Sequence, residues 1–257
     1  MVAVSRWDAF GTWCEVLTVG EDDLPAIADL ARTQAMTVDE ACSPLSGSEW
    51  ATLVRGRPQR VSPVLAGVVA AAARAAELRA DVSLLSRWRA VVIDEASRTL
   101  TLPADAVLDL GGTARAWAAD WIATSCHEAY GVGCLVNLGG DIAVRGDVPP
   151  GGWQVEIQDG PGVGQPNPVI SMGWPGGLAT AAARSRVGTK DPPPGYWRSV
   201  TVAARSCERA RAAGTAALAM ADDAPRWLTQ RELPGRLVHI GGMVVQTNGW
   251  PAQRWVA

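Results

Sequence analysis

The sequence contains few of the side chains that most often carry catalysis or metal binding. Its 257 residues include two histidines, two tyrosines and one phenylalanine, and Lys190 is the single lysine. His127 and His239 are far apart, and neither has a second histidine or a carboxylate at metal-ligand spacing, so we expect both to be structural or exposed. No serine has histidine and aspartate partners in a recognisable pattern, which argues against a nucleophilic hydrolase.

The cysteines lack the spacing of a metal site or a disulfide framework. Their number is odd, and no two are separated by only two residues. We expect them to be small core residues of a protein in a reducing compartment. The five are Cys14, Cys42, Cys126, Cys134 and Cys207.

The charge balance and the apolar segments exclude further classes of function. A formal net charge of −3 leaves no basic surface of the kind that binds nucleic acid or an anionic membrane. The N-terminus lacks the basic start and apolar run of a signal peptide, and no segment reaches the roughly 18 consecutive apolar residues of a membrane span. We therefore expect a cytoplasmic protein.

The order of the predicted elements favours an α+β fold. Strands and helices alternate unevenly, with adjacent hairpins, which is not the pattern of a doubly wound parallel sheet. The first predicted strand is Thr12–Val19, and a helix capped by Asp22 or Asp23 is expected to run to about Ala35. No repeat or long linker divides the chain, so one domain over residues 1–257 is predicted.

Several later elements have clear start and stop signals. Ile142–Val144 and Trp153–Ile157 are expected to pair as strands. The other predicted elements are a helix from Ser62-Pro63 to about Leu78, a hairpin of Ala90–Asp94 and Thr99–Leu102, a helix over Thr113–Tyr130 ended by Gly131, and strands at Cys134–Leu138 and Val200–Ala204.

Two glycine-rich loops, Asp109–Arg115 and Asn137–Asp141, each follow an apolar strand. The first loop also opens a helix. Glycines let backbone N–H groups approach an anion, and a helix N-terminus adds partial positive charge. Arg115 lies in the first helical turn, where it can reach a phosphate, while Asp109 and Asp141 can accept hydrogen bonds from a ribose or a ring N–H. The alternative is a tight turn without a ligand.

The two loops together resemble the central signature of the FAD:protein FMN transferases, the ApbE family. That signature, Asp-Leu-Gly-Gly-x-Ala-(Lys/Arg)-x-(aromatic)-Ala-x-Asp followed by Asn-Leu-Gly-Gly-Asp-Ile, is present here as Asp109 to Asp120 and Asn137 to Ile142. The resemblance covers about residues 9–252 and indicates a divergent, actinobacterial-type member. Other segments similar to the family are Phe10–Trp13, Cys42–Leu53, Val61–Pro63, Leu178–Thr180, Trp197–Ala204, Gly214–Ala216, Leu233–Leu237 and Gly249–Pro251.

The resemblance implies a fold and a reaction. The fold would be a mixed sheet with flanking helices in two closely packed lobes. Family members bind FAD, use Mg²⁺ to polarise the diphosphate, and move the FMN half onto a Thr or Ser hydroxyl of a client protein with release of AMP. The cofactor-binding residues that the resemblance implies are Phe10, Asp109, Gly111, Gly112, Ala114, Arg115, Gly139, Gly140 and Asp141.

The metal-binding run of the family is altered. The family has Ala-Asp-Ala-x-Ser-Thr, whereas this chain has Ala210–Thr215, in which Arg211 replaces the carboxylate and Gly214 the serine-like residue. Thr215 is kept, and Gly112 could add its backbone carbonyl. One carbonyl and one hydroxyl make a poor site for a hard divalent cation, and the arginine would repel it. A carboxylate from elsewhere, such as Asp222 or Asp191, would be needed to restore the magnesium site.

Three further positions depart from the family. A family histidine that precedes an Asp-Pro-x-x-Gly loop falls at about Gly188, ahead of Asp191–Gly195. Leu45 stands where the family usually has an aromatic residue that packs on flavin. A family Gly-x-Phe-Asp-Pro segment is shortened to about Arg79–Val82. The flavin-ring clamp, the histidine and the metal site are therefore all weakened.

Arg211 and Thr215 are the candidate catalytic residues. A guanidinium at the former metal position could neutralise the diphosphate bidentately without an ion. Alternatively, Arg211 is a surface arginine or pairs with Glu208. Three functions remain open: FMN transfer through the altered site, binding of FAD or another nucleotide as a carrier, regulator or scaffold, and a different reaction in the same pocket.

Overall fold

The computed structural model describes residues 1–78, 90–104, 109–158, 167–182 and 197–255, which form fourteen strands and six α-helices. The helices are α1 (Leu24–Cys42), α2 (Glu49–Thr52), α3 (Pro63–Leu78), α4 (Gly111–Tyr130), α5 (Cys207–Ala219) and α6 (Ala224–Gln230). The strands are β1 (Val2–Ala9), β2 (Thr12–Val19), β3 (Pro58–Arg60), β4 (Val92–Asp94), β5 (Thr99–Thr101), β6 (Cys134–Leu138), β7 (Asp141–Arg145), β8 (Trp153–Glu156), β9 (Pro168–Met172), β10 (Gly176–Ala182), β11 (Trp197–Ala204), β12 (Gly235–His239), β13 (Val244–Gln246) and β14 (Gln253–Trp255).

An eight-stranded sheet runs through the centre of the described residues in the order β1-β2-β6-β7-β10-β11-β12-β13. Each of its strands pairs antiparallel with its neighbours. Two three-stranded sheets, β14-β9-β8 and β3-β5-β4, accompany it. The predicted α+β class is confirmed, and the large sheet is antiparallel because tight hairpins join several successive strands.

Two of these hairpins end in two-residue turns with positive φ at both central positions. Phe10 and Gly11 join β1 to β2, and Gly139 and Gly140 join β6 to β7. A turn with two left-handed residues matches the right-handed twist of paired strands, which explains why glycine occupies three of these four positions.

The two faces of the large sheet pack against different layers. On β6, Cys134 and Val136 belong to a core shared with α1, α3 and α4, whereas Leu135 belongs to a core shared with β8 and β9. This alternation follows from the two-residue period of a strand. A helical layer therefore covers one face, and the small sheet β14-β9-β8 covers part of the other.

Most predicted boundaries agree with the structure. Helix α3 begins after Ser62, whose Oγ accepts the N–H of Leu65 at 3.1 Å, and α4 ends at Gly131 in a left-handed conformation. The predicted strand Thr12–Val19 is β2, and the predicted hairpin is β4 and β5.

Three expectations about the elements were wrong. The first strand is Val2–Ala9, which precedes the predicted one. Helix α1 continues to Cys42 because buried residues recur at helical spacing beyond Ala35. Strands β7 and β8 do not pair with each other: β7 lies between β6 and β10, and β8 pairs with β9.

The five cysteines are buried, unpaired thiols, as the sequence predicted for core residues. Burial raises the pKa of Cys42 and of Cys126 to about 12, and that of Cys14 and of Cys134 to about 11. None of these thiols would ionise near neutral pH, so they contribute to packing and not to nucleophilic chemistry. In the described ranges, no helix has the length and apolar character needed to cross a bilayer.

The close approach of β10 to the start of α5 predicts the effect of one substitution. A Cβ at Gly177 would overlap the backbone of Ser206 and Cys207. We expect Gly177→Ala to lower the free energy of unfolding by about 3 kcal/mol, because backbone atoms cannot move aside as a flexible side chain can. Urea unfolding measures this loss.

Gly173→Ala is the matched control, since a Cβ at Gly173 meets no atom within 4 Å. It should change the free energy of unfolding by less than about 0.5 kcal/mol. Equal stabilities of the two variants would contradict the close approach.

Candidate functional site

Asp141 is a fully buried carboxylate that lies directly after the Gly139–Gly140 turn. Its Oδ2 accepts a hydrogen bond from Nε of Arg115 on α4 at 3.1 Å. Its Oδ1 accepts from Nε of Arg211 on α5 at 2.7 Å and also from Nη2 of Arg211. One carboxylate therefore ties both helices to the large sheet.

This cluster carries more positive than negative charge. Two guanidinium groups share the single carboxylate of Asp141, which leaves a surplus of one positive charge. The side chains of Arg115 and Arg211 keep 22% and 14% of their surface exposed, so a ligand can reach them. Arg211 also donates from Nη1 to the backbone oxygen of Thr180 at 2.7 Å. The cluster can attract an anion while the arginines stay fixed in place.

The first glycine loop lies beside Arg211. Helix α4 begins at Gly111, whose N–H donates to Oδ1 of Asp109 at 2.9 Å. A Cβ at Gly112 would lie 3.6 Å from Cδ of Arg211. The N–H groups of Gly112 and Thr113 belong to the first turn of the helix, which offers them no intrahelical acceptor. These free N–H groups add partial positive charge next to the arginine cluster, while the Asp109 carboxylate brings a negative charge to the same helix end.

The second glycine loop is bonded within the protein. The N–H of Gly139 donates to the backbone oxygen of Trp13 at 3.0 Å, and the N–H of Gly140 donates to Oδ1 of Asn137 at 2.9 Å. These two donors already have acceptors, so the turn forms part of a cavity wall instead of presenting free N–H groups.

A cavity of about 450 Å³ lies between β2 and β6 of the large sheet and β8 of the small sheet. It is on the sheet face opposite the helices. The residues that define it here are Trp13, Glu15, Asn137, Gly139, Gly140 and Thr180. Trp13 is 44% exposed and is therefore a large aromatic surface available to a ligand.

Hydrogen bonds fix the polar wall of this cavity. Glu15 accepts from Nδ2 of Asn137 at 3.2 Å and from Nε of Arg6 at 3.0 Å. The hydroxyl of Thr180 lies 2.9 Å from that of Thr201, while the carbonyl of Thr180 accepts from Arg211. Thr180 therefore contacts both the cavity and the arginine cluster. The Gly139–Gly140 turn also borders the cavity, and it is followed directly by Asp141 of the arginine cluster.

The residues present do not fit a divalent cation. The hydroxyl of Thr215 donates to the backbone oxygen of Arg211 at 2.8 Å, and Asp222 is exposed. Among the described residues there is no group of three histidine, cysteine or carboxylate side chains that could hold a metal. The guanidinium of Arg211 lies beside Gly112, the other residue predicted to bind the metal. Asp191 is outside the described residues.

Both predicted alternatives for Arg211 were wrong. Glu208 does not pair with Arg211; it pairs with Nε of Arg74 at 3.2 Å. Arg211 is mostly buried and bonded to Asp141, so it is not a surface arginine either. From its position on α5, the Arg211 side chain extends toward the sheet and the carboxylate of Asp141.

The remaining predicted site residues lie near the edges of this arrangement. The N–H of Phe10 donates to Oδ2 of Asp39 at 2.9 Å, and its side chain packs against the main core. Ala114 is buried in α4, and its N–H donates to Leu110. Leu45, the predicted substitute for an aromatic clamp, is 73% exposed. Gly188, Asp191–Gly195 and Arg79–Val82 lie outside the described residues.

Asp120, the last residue of the Asp109 to Asp120 signature, is a positioning residue to which the sequence assigned no role. It accepts the N–H groups of Cys207 at 3.1 Å and Glu208 at 2.9 Å, and Nη2 of Arg145 at 2.9 Å. Burial raises the pKa of Asp120, and these three donors oppose the rise. Its carboxylate caps the start of α5 and so positions Arg211.

Trp13 is a second residue of the candidate site to which the sequence assigned no role. On β2, Cys14 and Val16 are buried against the helices, so Trp13 and Glu15 must face the opposite side. The alternation of this strand therefore contained the signal. What the sequence did not show is that β8 covers that side and encloses a cavity.

A sequence model of the ApbE family matches residues 64–237 of the chain. Among solved structures, the ApbE protein of Thermotoga maritima has a TM-score of 0.80 and 19% identity, over 96% of this chain and 97% of that one. The flavin transferase ApbE of Vibrio cholerae has a TM-score of 0.77 and 18% identity, over 97% and 98%.

A third solved structure, the apo form of the flavinyl transferase ApbE of Pseudomonas stutzeri, has a TM-score of 0.76 and 17% identity, over 96% of each chain. No curated protein is significantly similar to the sequence. The solved structures share the fold of this chain over nearly its whole length.

The arginine cluster predicts how stability depends on Asp141. We expect Asp141→Asn to lower the free energy of unfolding by about 3 kcal/mol, because two arginines would then face a neutral amide in a buried place. Adding Arg211→Gln to this variant should restore part of the loss, since it removes one of the uncompensated charges. Urea unfolding of the single and double variants tests both statements.

Asp29→Asn is the control, because Asp29 pairs with Arg32 at the surface with 79% of its side chain exposed. That change should cost less than about 0.5 kcal/mol. If Asp141→Asn lowered the free energy of unfolding no more than Asp29→Asn does, the buried cluster would not stabilise the fold as we describe.

Proposed function

The chain belongs to the ApbE family, and on that premise we propose that it binds FAD and transfers the FMN half to a threonine or serine hydroxyl of a client protein, releasing AMP. Arg211 takes the place of a divalent cation in this proposal. The observation that carries it is the surplus of positive charge at Asp141 on the helical face of the sheet, with a cavity of about 450 Å³ and an exposed tryptophan on the opposite face, beyond Thr180 and the glycine turn.

The transfer requires positioning and charge neutralisation. The client hydroxyl oxygen forms a bond to the FMN phosphorus and loses its proton, while the bond from that phosphorus to the bridging oxygen breaks. The bridging oxygen and its electron pair leave with AMP. Negative charge therefore grows on the phosphate oxygens, and fixed guanidinium groups and helix N–H groups stabilise such charge. Arg115, Arg211 and the first turn of α4 supply these groups.

The cavity supports the flavin part of the proposal. Trp13 offers a ring face for stacking, and Leu17 and Leu135 add apolar surface. Asn137 and Glu15 hold each other in place on the same wall, so they present fixed polar groups to a ring edge. Because the Gly139–Gly140 turn carries no side chains beyond Cα, a ligand could pass around it close to the backbone, from the cavity on one face of the sheet to the arginine cluster on the other.

Magnesium has no step in this proposal, since the residues at its family position do not fit it. A guanidinium can bind two phosphate oxygens at once and cannot lose its charge, which suits it to a diphosphate. The three bonded nitrogens of Arg211 hold the group beside Gly112 before any ligand arrives, so its position needs no reorganisation on binding.

A second candidate function is FAD or nucleotide binding without transfer. It is favoured by the same bonds of Arg211, because Nε, Nη1 and Nη2 each donate to an acceptor of the protein itself. A guanidinium restrained in this way can bind a diphosphate. It can move little to follow the negative charge that grows on the leaving AMP, so it would not accelerate transfer. Such a protein would serve as a carrier or regulator.

A transfer assay distinguishes the two functions. The purified chain is incubated with FAD and a flavin-acceptor domain, with either Mg²⁺ or EDTA, and client fluorescence in the gel and released AMP are measured. We expect equal transfer within about twofold in both buffers, and a loss of about 100-fold or more in Arg211→Gln. Arg226→Gln, which changes an exposed arginine on α6, is the control and should retain full transfer.

Each other result has a clear meaning. Transfer that requires Mg²⁺, or that survives Arg211→Gln, contradicts the role of Arg211. Binding of FAD without transfer supports the second candidate. If FAD does not bind, both candidates fail.

Trp13 provides a separate test of the cavity. We expect Trp13→Leu to weaken FAD binding about tenfold, because stacking of a ring on an aromatic side chain contributes roughly 1–3 kcal/mol. The measurement is a titration of flavin fluorescence, with circular dichroism to confirm folding. Leu45→Ala should leave the Kd for FAD unchanged, since Leu45 is not among the residues that line the cavity. If Leu45→Ala weakened FAD binding and Trp13→Leu did not, the flavin ring would bind elsewhere.

A further inference from the structure

A second cavity, of about 560 Å³, lies where the β9–β10 turn, the end of β11 and the segment after α6 meet. The residues important here are Trp174, Ala204, Arg205, Arg209, Arg231 and Leu233. Of the described residues, none lines both this cavity and the cavity proposed for flavin. Its volume is within the usual range of small-molecule sites.

Three arginines converge on this second cavity. Arg205 precedes α5, Arg209 lies in its first turn, and Arg231 follows α6. Within the described residues, none of the three guanidinium groups forms a salt bridge. By contrast, the arginines that do form salt bridges in the described part are Arg6, Arg32, Arg74, Arg115, Arg145 and Arg211.

The charge at the second cavity is strongly positive for its size. Glu232 is the one carboxylate among the described residues that line it, so these residues together carry a surplus of two positive charges. The guanidinium of Arg231 lies over the ring of Trp227, 4.3 Å from its centroid, which restrains its position. A surplus of two charges matches a phosphate monoester, which carries close to two negative charges at neutral pH.

The cations, and not the helix end, would hold this anion. The N-terminal N–H groups of α5 at Cys207 and Glu208 already donate to the carboxylate of Asp120. The three arginine side chains are exposed and have no carboxylate partner in the part of the chain that the structure describes, and arginine binds phosphate in a bidentate geometry. Trp174 adds an aromatic side chain to the cavity lining.

We propose that this second cavity binds a small molecule carrying a phosphate monoester, through Arg205, Arg209 and Arg231. The concave shape favours a small ligand over an extended acidic peptide, which would need a groove. Binding here does not depend on the proposed flavin transfer, because the two cavities have separate linings. Either proposal can fail while the other stands.

Calorimetric titration of the purified chain with AMP tests the proposal, with inorganic phosphate and adenosine as two further arms. We expect AMP to bind, adenosine to bind at least tenfold more weakly, and AMP affinity to fall as KCl is raised. The variant Arg205→Gln/Arg209→Gln should weaken AMP binding at least tenfold, since charge-assisted hydrogen bonds are lost. If inorganic phosphate binds as tightly as AMP, the cavity recognises the phosphate group alone. This result would also support the proposed phosphate site.

A control variant separates this cavity from other exposed arginines. Arg226→Gln changes an exposed arginine that lines neither cavity and should leave AMP binding unchanged. The proposal is overturned if AMP does not bind, if adenosine binds equally well, or if the double variant retains the AMP affinity of the unaltered chain.

Discussion

The buried carboxylate of Asp141 is the interaction on which the arrangement of this molecule depends. It lies at the start of β7 and binds arginines from two helices, so the sheet, α4 and α5 share one electrostatic contact. A charge buried in this way is stable only when it is paired. Here two guanidinium groups share one carboxylate, which leaves a surplus of one positive charge next to the N-terminus of α4, and in our proposal this surplus binds the diphosphate.

Other contacts of the fold hold Arg211 in position to bind Asp141. Asp120 caps α5, and Gly177 allows α5 to lie directly on β10, which together determine where Arg211 reaches the sheet. On the opposite face, Trp13 and the Gly139–Gly140 turn border a cavity enclosed by β8. A ligand in that cavity would be separated from the arginine cluster by little more than the backbone of Thr180 and the glycine turn.

Much of this could be predicted from the sequence because the signals are local. The serine before α3, the proline at its first position, the glycine after α4 and the paired glycines after β6 each specify a backbone conformation within a few residues. The partners of Asp141 could not be predicted, because Arg115 and Arg211 are 26 and 70 positions away. The pairing of β7 with β10 was missed for the same reason, since register between distant strands depends on packing that no local pattern contains.

The central claim is that a guanidinium has replaced a divalent cation at the diphosphate position. The most direct measurement is the Kd for FAD, determined by calorimetry in EDTA and again in excess Mg²⁺. Our account predicts the same Kd in both solutions, because the positive charge belongs to the protein. An affinity that appears only with Mg²⁺ would contradict it.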